Sequence, residues 1–176
     1  DKGTWKYYGD EEEPKLHTGW FEAVPSKELN SDDHENGTTH WYYANSKGEI
    51  TIPTADGEVG VVKTIDGKSY LFNSDGEMVT GLRILTYDGS KITNISSEVD
   101  SADTVKNMNS DTMKLVYFES NGAAKTGTTT ITLDGTSYTF SFKSNGSPRG
   151  VGETGISDGY IYQNGLRLTA DEDTKY

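Results

Sequence analysis

The sequence predicts an all-β protein: a β-hairpin solenoid of stacked repeats, with two irregular insertions and one short helix. Three observations lead there. One short phrase recurs along the chain: a pair of aromatics, a glycine-containing turn, and a small apolar step ending in Thr-Gly. Turn signals built on Asp-Gly and Asn-Gly punctuate it at short intervals. Leu, Ile, Val and Phe together number only 32 of 176 residues, while there are 11 Tyr and 3 Trp. Aliphatic content that low, with a net charge of −12, borders on disordered composition. The tyrosines and tryptophans argue for order, because each ring buries a large area and can leave a polar edge wet. Small units held by rings must stack on their neighbours, since none can bury a core alone.

The copies run in order. The first is partial, Trp5-Lys6-Tyr7-Tyr8-Gly9 followed by Thr18-Gly19-Trp20. The next reads Trp41-Tyr42-Tyr43-Ala44-Asn45-Ser46-Lys47-Gly48, and the third Tyr70-Leu71-Phe72-Asn73-Ser74-Asp75-Gly76-Glu77-Met78-Val79-Thr80-Gly81. A fourth reads Tyr117-Phe118-Glu119-Ser120-Asn121-Gly122-Ala123-Ala124-Lys125-Thr126-Gly127. The hairpin Tyr160-Ile161-Tyr162-Gln163-Asn164-Gly165-Leu166-Arg167-Leu168 closes the series around an Asn-Gly turn, where both residues tolerate positive φ. A second turn series, Asp66-Gly67, Asp134-Gly135 and Asp158-Gly159, precedes the aromatics. Each unit therefore reads as strand, Asp-Gly turn, aromatic strand, glycine turn, short strand. The boundaries fall near 1–20, 20–60, 60–82, 115–130, 131–152 and 153–170, with insertions near 24–39 and 83–114. The first insertion is polar and reads as a surface loop. In the second, Ile84, Leu85, Ile92 and Ile95 predict extra strand, and Val99, Ala102, Val105 and Met108 recur at helical spacing. Tyr42, Phe72, Phe118, Phe140 and Ile161 are expected to face the core or the alternate face of their strands.

Charge excludes some partners. An acidic chain lacks the basic face that phosphate backbones require, so nucleic acid is not an expected ligand. Adsorption to anionic lipid is disfavoured for the same reason, and no stretch approaches the length of a membrane span. Without cysteine there is no disulfide, thiolate nucleophile or Cys-based metal site.

The Thr18-Gly19-Trp20 step, the Trp41-Tyr42-Tyr43 strand and the Tyr70 to Gly81 copy resemble the cell-wall-binding repeat family of Gram-positive surface proteins. That family includes choline-binding and glucan-binding repeats and the receptor-binding repeats of large clostridial toxins. The resemblance covers most of the chain outside the insertions. It implies a solenoid of β-hairpins in a secreted protein at the bacterial cell surface, of which this chain would be one piece. In the choline-binding branch, aromatics from successive hairpins cage a quaternary ammonium by cation–π attraction. Trp20 and Trp41 match the tryptophan positions of that pattern, with Tyr43 and Tyr70 nearby. Later copies depart from it: Leu82 and Thr128 replace the step tryptophan, so at most one cage is complete.

The expected ligand-binding residues are Trp20, Trp41, Tyr43 and Tyr70, with Trp5 and Tyr7 as lesser candidates. The competing reading is that these rings are stacking core. The expected partner is a cell-wall polymer, bound through teichoic-acid choline or glycan. Rival readings are a glucan or host-glycan receptor array, and a structural spacer with no small ligand.

Catalysis finds no motif: there is no nucleophile elbow or phosphate loop, and the carboxylate pairs lie in charged runs. No enzyme activity, cofactor or metal is expected. His34, Glu35 and His40 miss the zinc-protease pattern, since the histidines are six apart rather than four. Asp32 opens an apparent calcium loop, but its twelfth position is Tyr43, where a bidentate Glu is required.

Overall fold

A computed structural model describes residues 4–8, 16–146 and 149–169. These residues are mostly β with two short helices. Strands β1 (Gly19–Ala23) and β2 (His40–Ala44) pair as an antiparallel ribbon. Strands β3 (Gly60–Ile65), β4 (Lys68–Asn73), β5 (Gly81–Asp88), β6 (Lys91–Ile95) and β7 (Met113–Phe118) form a five-stranded sheet in the order β4-β3-β6-β5-β7. Strands β8 (Gly127–Leu133), β9 (Thr136–Phe142), β10 (Gly155–Ser157), β11 (Tyr160–Gln163) and β12 (Leu166–Arg167) form another, in the order β10-β11-β12-β9-β8. Helix α1 (Ser31–Asn36) precedes β2, and α2 (Ala102–Lys106) precedes β7. Neither helix is long and apolar enough to cross a membrane.

The two-residue turns form as the sequence predicts. Asp66, Asp134, Asp158 and Asn164 all take φ near +50°, each followed by a glycine at positive φ. The paired registers follow directly: Ile65 opposite Lys68, Leu133 opposite Thr136, Ser157 opposite Tyr160, and Gln163 opposite Leu166. The other turn series repeats as well. Asn45 N donates to Glu49 O at 2.9 Å, Asn73 N to Glu77 O at 2.9 Å, and Glu119 N to Ala123 O at 2.9 Å. The residue after each turn donates back to an earlier aromatic strand. Ile50 N reaches Trp5 O, Met78 N reaches Trp41 O, Ala124 N reaches Ser69 O and Gly152 N reaches Leu115 O, at 2.8–2.9 Å.

The hairpin solenoid itself is overturned. Its strands would pair in sequence, as a row of equal short hairpins. Instead, ten of the twelve strands gather into two five-stranded sheets, and in one of them β6 enters between β3 and β5. The cause is the second insertion. It contributes β6 and most of β5, whose Ile84, Leu85 and Ile92 are buried, so it builds a sheet rather than decorating an array. The expectation of a core made of rings also needs correction. A ring stack does fill the first core, where Tyr7 lies 5.0 Å from Phe21 and Phe21 5.5 Å from Tyr42. The second core is mainly Leu71, Val79, Leu85, Ile92 and Val116 around Phe118. The third mixes Phe140 and Phe142 with Leu82, Ile84, Val105, Leu115 and Leu166.

Tyr42, Phe72, Phe118 and Phe140 are buried, while Ile161 is 55% exposed. It pairs with Ile156 on the outer face of β10 and β11, while Tyr162 takes the inner face. Helix α2 forms where the spacing predicts, with Val105 and Ala102 buried and Ser101 as its cap. Helix α1 was not expected, because its six residues bury nothing and have no apolar period. Local capping defines it: the Asn30 side chain accepts from Asp33 N, Asp32 and Asp33 sit in the first turn, and Gly37 closes it at φ 66°.

Candidate ligand-binding site

Strand alternation divides the rings of β1 and β2 between two faces. Phe21 and Tyr42 are paired across the ribbon and turn into the first core. Trp20 is paired with Tyr43, and Glu22 with Trp41, on the opposite face. The β3–β4 hairpin meets that face. Its register places Lys63 opposite Tyr70 and Val61 opposite Phe72.

The result is an aromatic cluster centred on Trp20, a candidate notch. Its ring lies 4.8 Å from Tyr70 and 5.3 Å from Tyr43, both near edge-to-face at 66° and 67°. Phe72, fully buried, closes the floor at 5.7 Å. Each edge-to-face pair adds about 0.5–1.5 kcal/mol beyond area burial, so the walls hold one another in place. Trp20, Tyr43 and Tyr70 are half-buried, which leaves part of each side chain open to solvent. Lys63 Nζ stands 5.8 Å from the centre of the Tyr43 ring.

The structure thus brings together three of the residues singled out from the sequence: Trp20, Tyr43 and Tyr70. Trp41 shares their strand face but joins no ring pair among the described residues, and it is 44% exposed. Tyr7 lies in the first core, stacked on Phe21 at an interplanar angle of 7° and tilted against His17. Trp5 lines a cavity of about 50 Å³ with Phe21, Leu29, Tyr42 and Ile50, apart from the notch. Lys63 was not singled out from the sequence. The signal for it was there, because a two-residue turn at Asp66-Gly67 fixes its pairing with Tyr70.

A second, polar cluster joins α1, β2 and the turn after β4. His40 Nε2 lies 2.7 Å from Asp33 Oδ2 and 3.2 Å from Glu77 Oε2. Asn30 Nδ2 donates to Asp33 Oδ2 at 2.8 Å and to Glu77 Oε1 at 3.0 Å. Glu77 is 5% exposed, and burial pushes its carboxyl above the ordinary range, against the Asn30 hydrogen bond and the His40 charge. Burial also raises Asp75, with the charge of Asp33 adding to it. Among the described residues, the buried Tyr42 hydroxyl has no hydrogen-bond partner. Burial and then the charges of Glu77, Asp75 and Asp33 push its ionisation upward. Among the described residues, Asp33, His40 and Glu77 are the group with metal-ligand chemistry, their donor atoms all within 4.8 Å of one another. A metal is not expected from the sequence, which offers His40 only with His34 and Glu35. His34 instead bonds the Pro25 carbonyl at 2.8 Å.

No family model and no curated protein matches the sequence. Solved structures show weak, partial likeness. CbpJ from Streptococcus pneumoniae TIGR4 is 22% identical with a TM-score of 0.34, over 96% of this chain and 46% of that one. Choline binding protein F from Streptococcus pneumoniae, solved with a peptidoglycan analogue, is 18% identical with a TM-score of 0.28, over 96% of this chain and 56% of that one. Alternansucrase in complex with isomaltononaose is 19% identical with a TM-score of 0.25, over 88% of this chain but 10% of that one. The chain therefore spans about half the length of the first two.

Proposed function

We propose that this chain is a non-catalytic module that binds a polymer of the bacterial cell surface, outside the cell, through the notch at Trp20. The observation that carries the reading is the packing of half-buried Trp20 against Tyr43 and Tyr70 over Phe72, drawn from two separate sheets. Rings held rigidly and left partly open suit weak contacts repeated along a polymer, where affinity grows by multivalency. The resemblance of the Thr-Gly-Trp and Trp-Tyr-Tyr segments to cell-wall-binding repeats supports the same reading.

Two ligand classes fit such a notch: a quaternary ammonium, as in teichoic-acid choline, or a glycan. Lys63 favours the glycan. Its ammonium already faces the Tyr43 ring. A cationic ligand at about 6 Å from it would meet a repulsion of roughly 1–3 kcal/mol, depending on local screening. A sugar carries no such penalty, stacks on ring faces, and can accept a hydrogen bond from Lys63.

Tryptophan fluorescence tests this. Titration with α-glucan oligosaccharides is expected to shift the emission, and Trp20→Ala to abolish the shift. Choline is expected to bind weakly to the native chain and roughly tenfold more tightly to Lys63→Met, as relief of about 1.4 kcal/mol predicts. Silence with both ligands would leave the spacer reading in possession.

A further inference from the structure

We propose that Asp33, His40 and Glu77 form a zinc site that staples the α1 insertion to the turn after β4. The donor set is one imidazole nitrogen and two carboxylate oxygens. Calcium and magnesium prefer all-oxygen shells, whereas zinc accepts this mixture, and open zinc sites take three protein ligands plus water.

The geometry is close to what the ion needs. Zinc bonds of about 2.0–2.2 Å set tetrahedral ligands roughly 3.3–3.5 Å apart. His40 Nε2 and Glu77 Oε2 stand at 3.2 Å. His40 Nε2 and Asp33 Oδ2 stand at 2.7 Å, so this edge opens slightly on binding. Asn30 donates through one amide nitrogen to both carboxylates, to the Glu77 oxygen turned away from His40 and to the same Asp33 Oδ2 that faces it, an outer hydrogen-bond partner of the kind that fixes metal ligands. A cavity of about 590 Å³, lined by His40, Glu77, Ser74 and Met78, leaves access for the ion and its water.

Charge and unmet bonding point the same way. Asp33, Asp75 and Glu77 crowd one place, and among the described residues none of them pairs with a lysine or arginine. Arg83 lines the same cavity, but its guanidinium donates to the carbonyls of Thr80 and Ser96 at 2.9 and 3.1 Å. Among the described residues, His40 is the basic side chain in contact with these carboxylates. Tyr42 is 2% exposed, its hydroxyl lacks a partner among the described residues, and burial and then the charges of all three carboxylates push its ionisation upward. A divalent ion would neutralise the excess.

The test is calorimetric titration of zinc chloride into the full chain, stripped with chelator, near neutral pH. One zinc per chain is expected. His40→Ala and Glu77→Gln should each weaken it at least tenfold, and His34→Ala should leave it unchanged. Cobalt should give the visible absorption of a tetrahedral site in the native chain and lose it in Glu77→Gln. Zinc should also raise the melting temperature of the native chain but not of Glu77→Gln. If circular dichroism shows His40→Ala unfolded, Glu77→Gln decides. No heat of binding, or binding indifferent to the Glu77 and His40 variants, overturns the proposal. Notch binding by sugars is independent of either result.

Discussion

Met78 packs its thioether over Gly122, in the space that a Cβ on that glycine would fill. The contact joins the residue after one turn to the glycine of the next. It repeats at Gly76, whose Cβ position lies 3.2 Å from Ile50. Gly122 also takes φ 85°, a conformation that costs an L-residue about 1–2 kcal/mol.

Gly122→Ala is therefore expected to destabilise by about 2–4 kcal/mol, adding overpacking to backbone strain. Gly57→Ala is the control, because Gly57 has φ 77° with no atom of the described residues within 4 Å of its Cβ position. It should cost about 1–2 kcal/mol, from strain alone. Urea denaturation of both variants reads the difference. Equal losses would show that Met78 moves aside without cost.

Trp20 and Trp41 lie on one face of the ribbon but should behave differently. Trp20→Ala removes the centre of the notch and its three ring contacts, and is expected to cost about 2 kcal/mol. Trp41→Ala, at an exposed site, should stay within about 0.5 kcal/mol. Thermal unfolding distinguishes them.

Tyr87 provides a test at alkaline pH. Burial raises its phenol from an ordinary 10.0 to about 12. The folded state thus prefers the neutral phenol, which the unfolded chain gives up sooner. The stability this confers is fully present below pH 10.0 and is lost as pH rises toward about 12. Phenolate absorbance should show a late-titrating tyrosine that Tyr87→Phe removes, distinct from Tyr42, whose ionisation is pushed higher still. Tyr87→Phe should also flatten the fall in urea midpoint between those two pH values.

Asn30 has two duties, so its removal should register twice. Its oxygen caps α1, and its nitrogen bridges Asp33 and Glu77. Asn30→Ala should lower stability by about 1–2 kcal/mol and weaken zinc binding at least tenfold. Asn30→Ser, which restores the cap but not the bridge, should recover stability without recovering zinc affinity.

What could be read from residues alone was local. Asp66-Gly67, Asp134-Gly135, Asp158-Gly159 and Asn164-Gly165 declare their turns because positive φ is a property of two adjacent residues. Each such turn sets the pairing of its own hairpin, so even the Lys63–Tyr70 register was implicit. The short helix near Val105 was legible from its spacing. Three wall residues of the notch were recognisable by type and position, though not their distances.

Tertiary structure decided the rest. Whether β6 lies beside β3 depends on Gly60 meeting Ile92, a pairing between hairpins that no local pattern encodes. The same dependence turned an expected row of hairpins into two sheets. It also joined Asn30 to Glu77 across 47 positions, making one polar site from a loop and a turn that look unrelated in sequence. Local conformation follows from steric preferences of neighbouring residues, but long-range pairing is chosen by which apolar faces the whole chain can bury together.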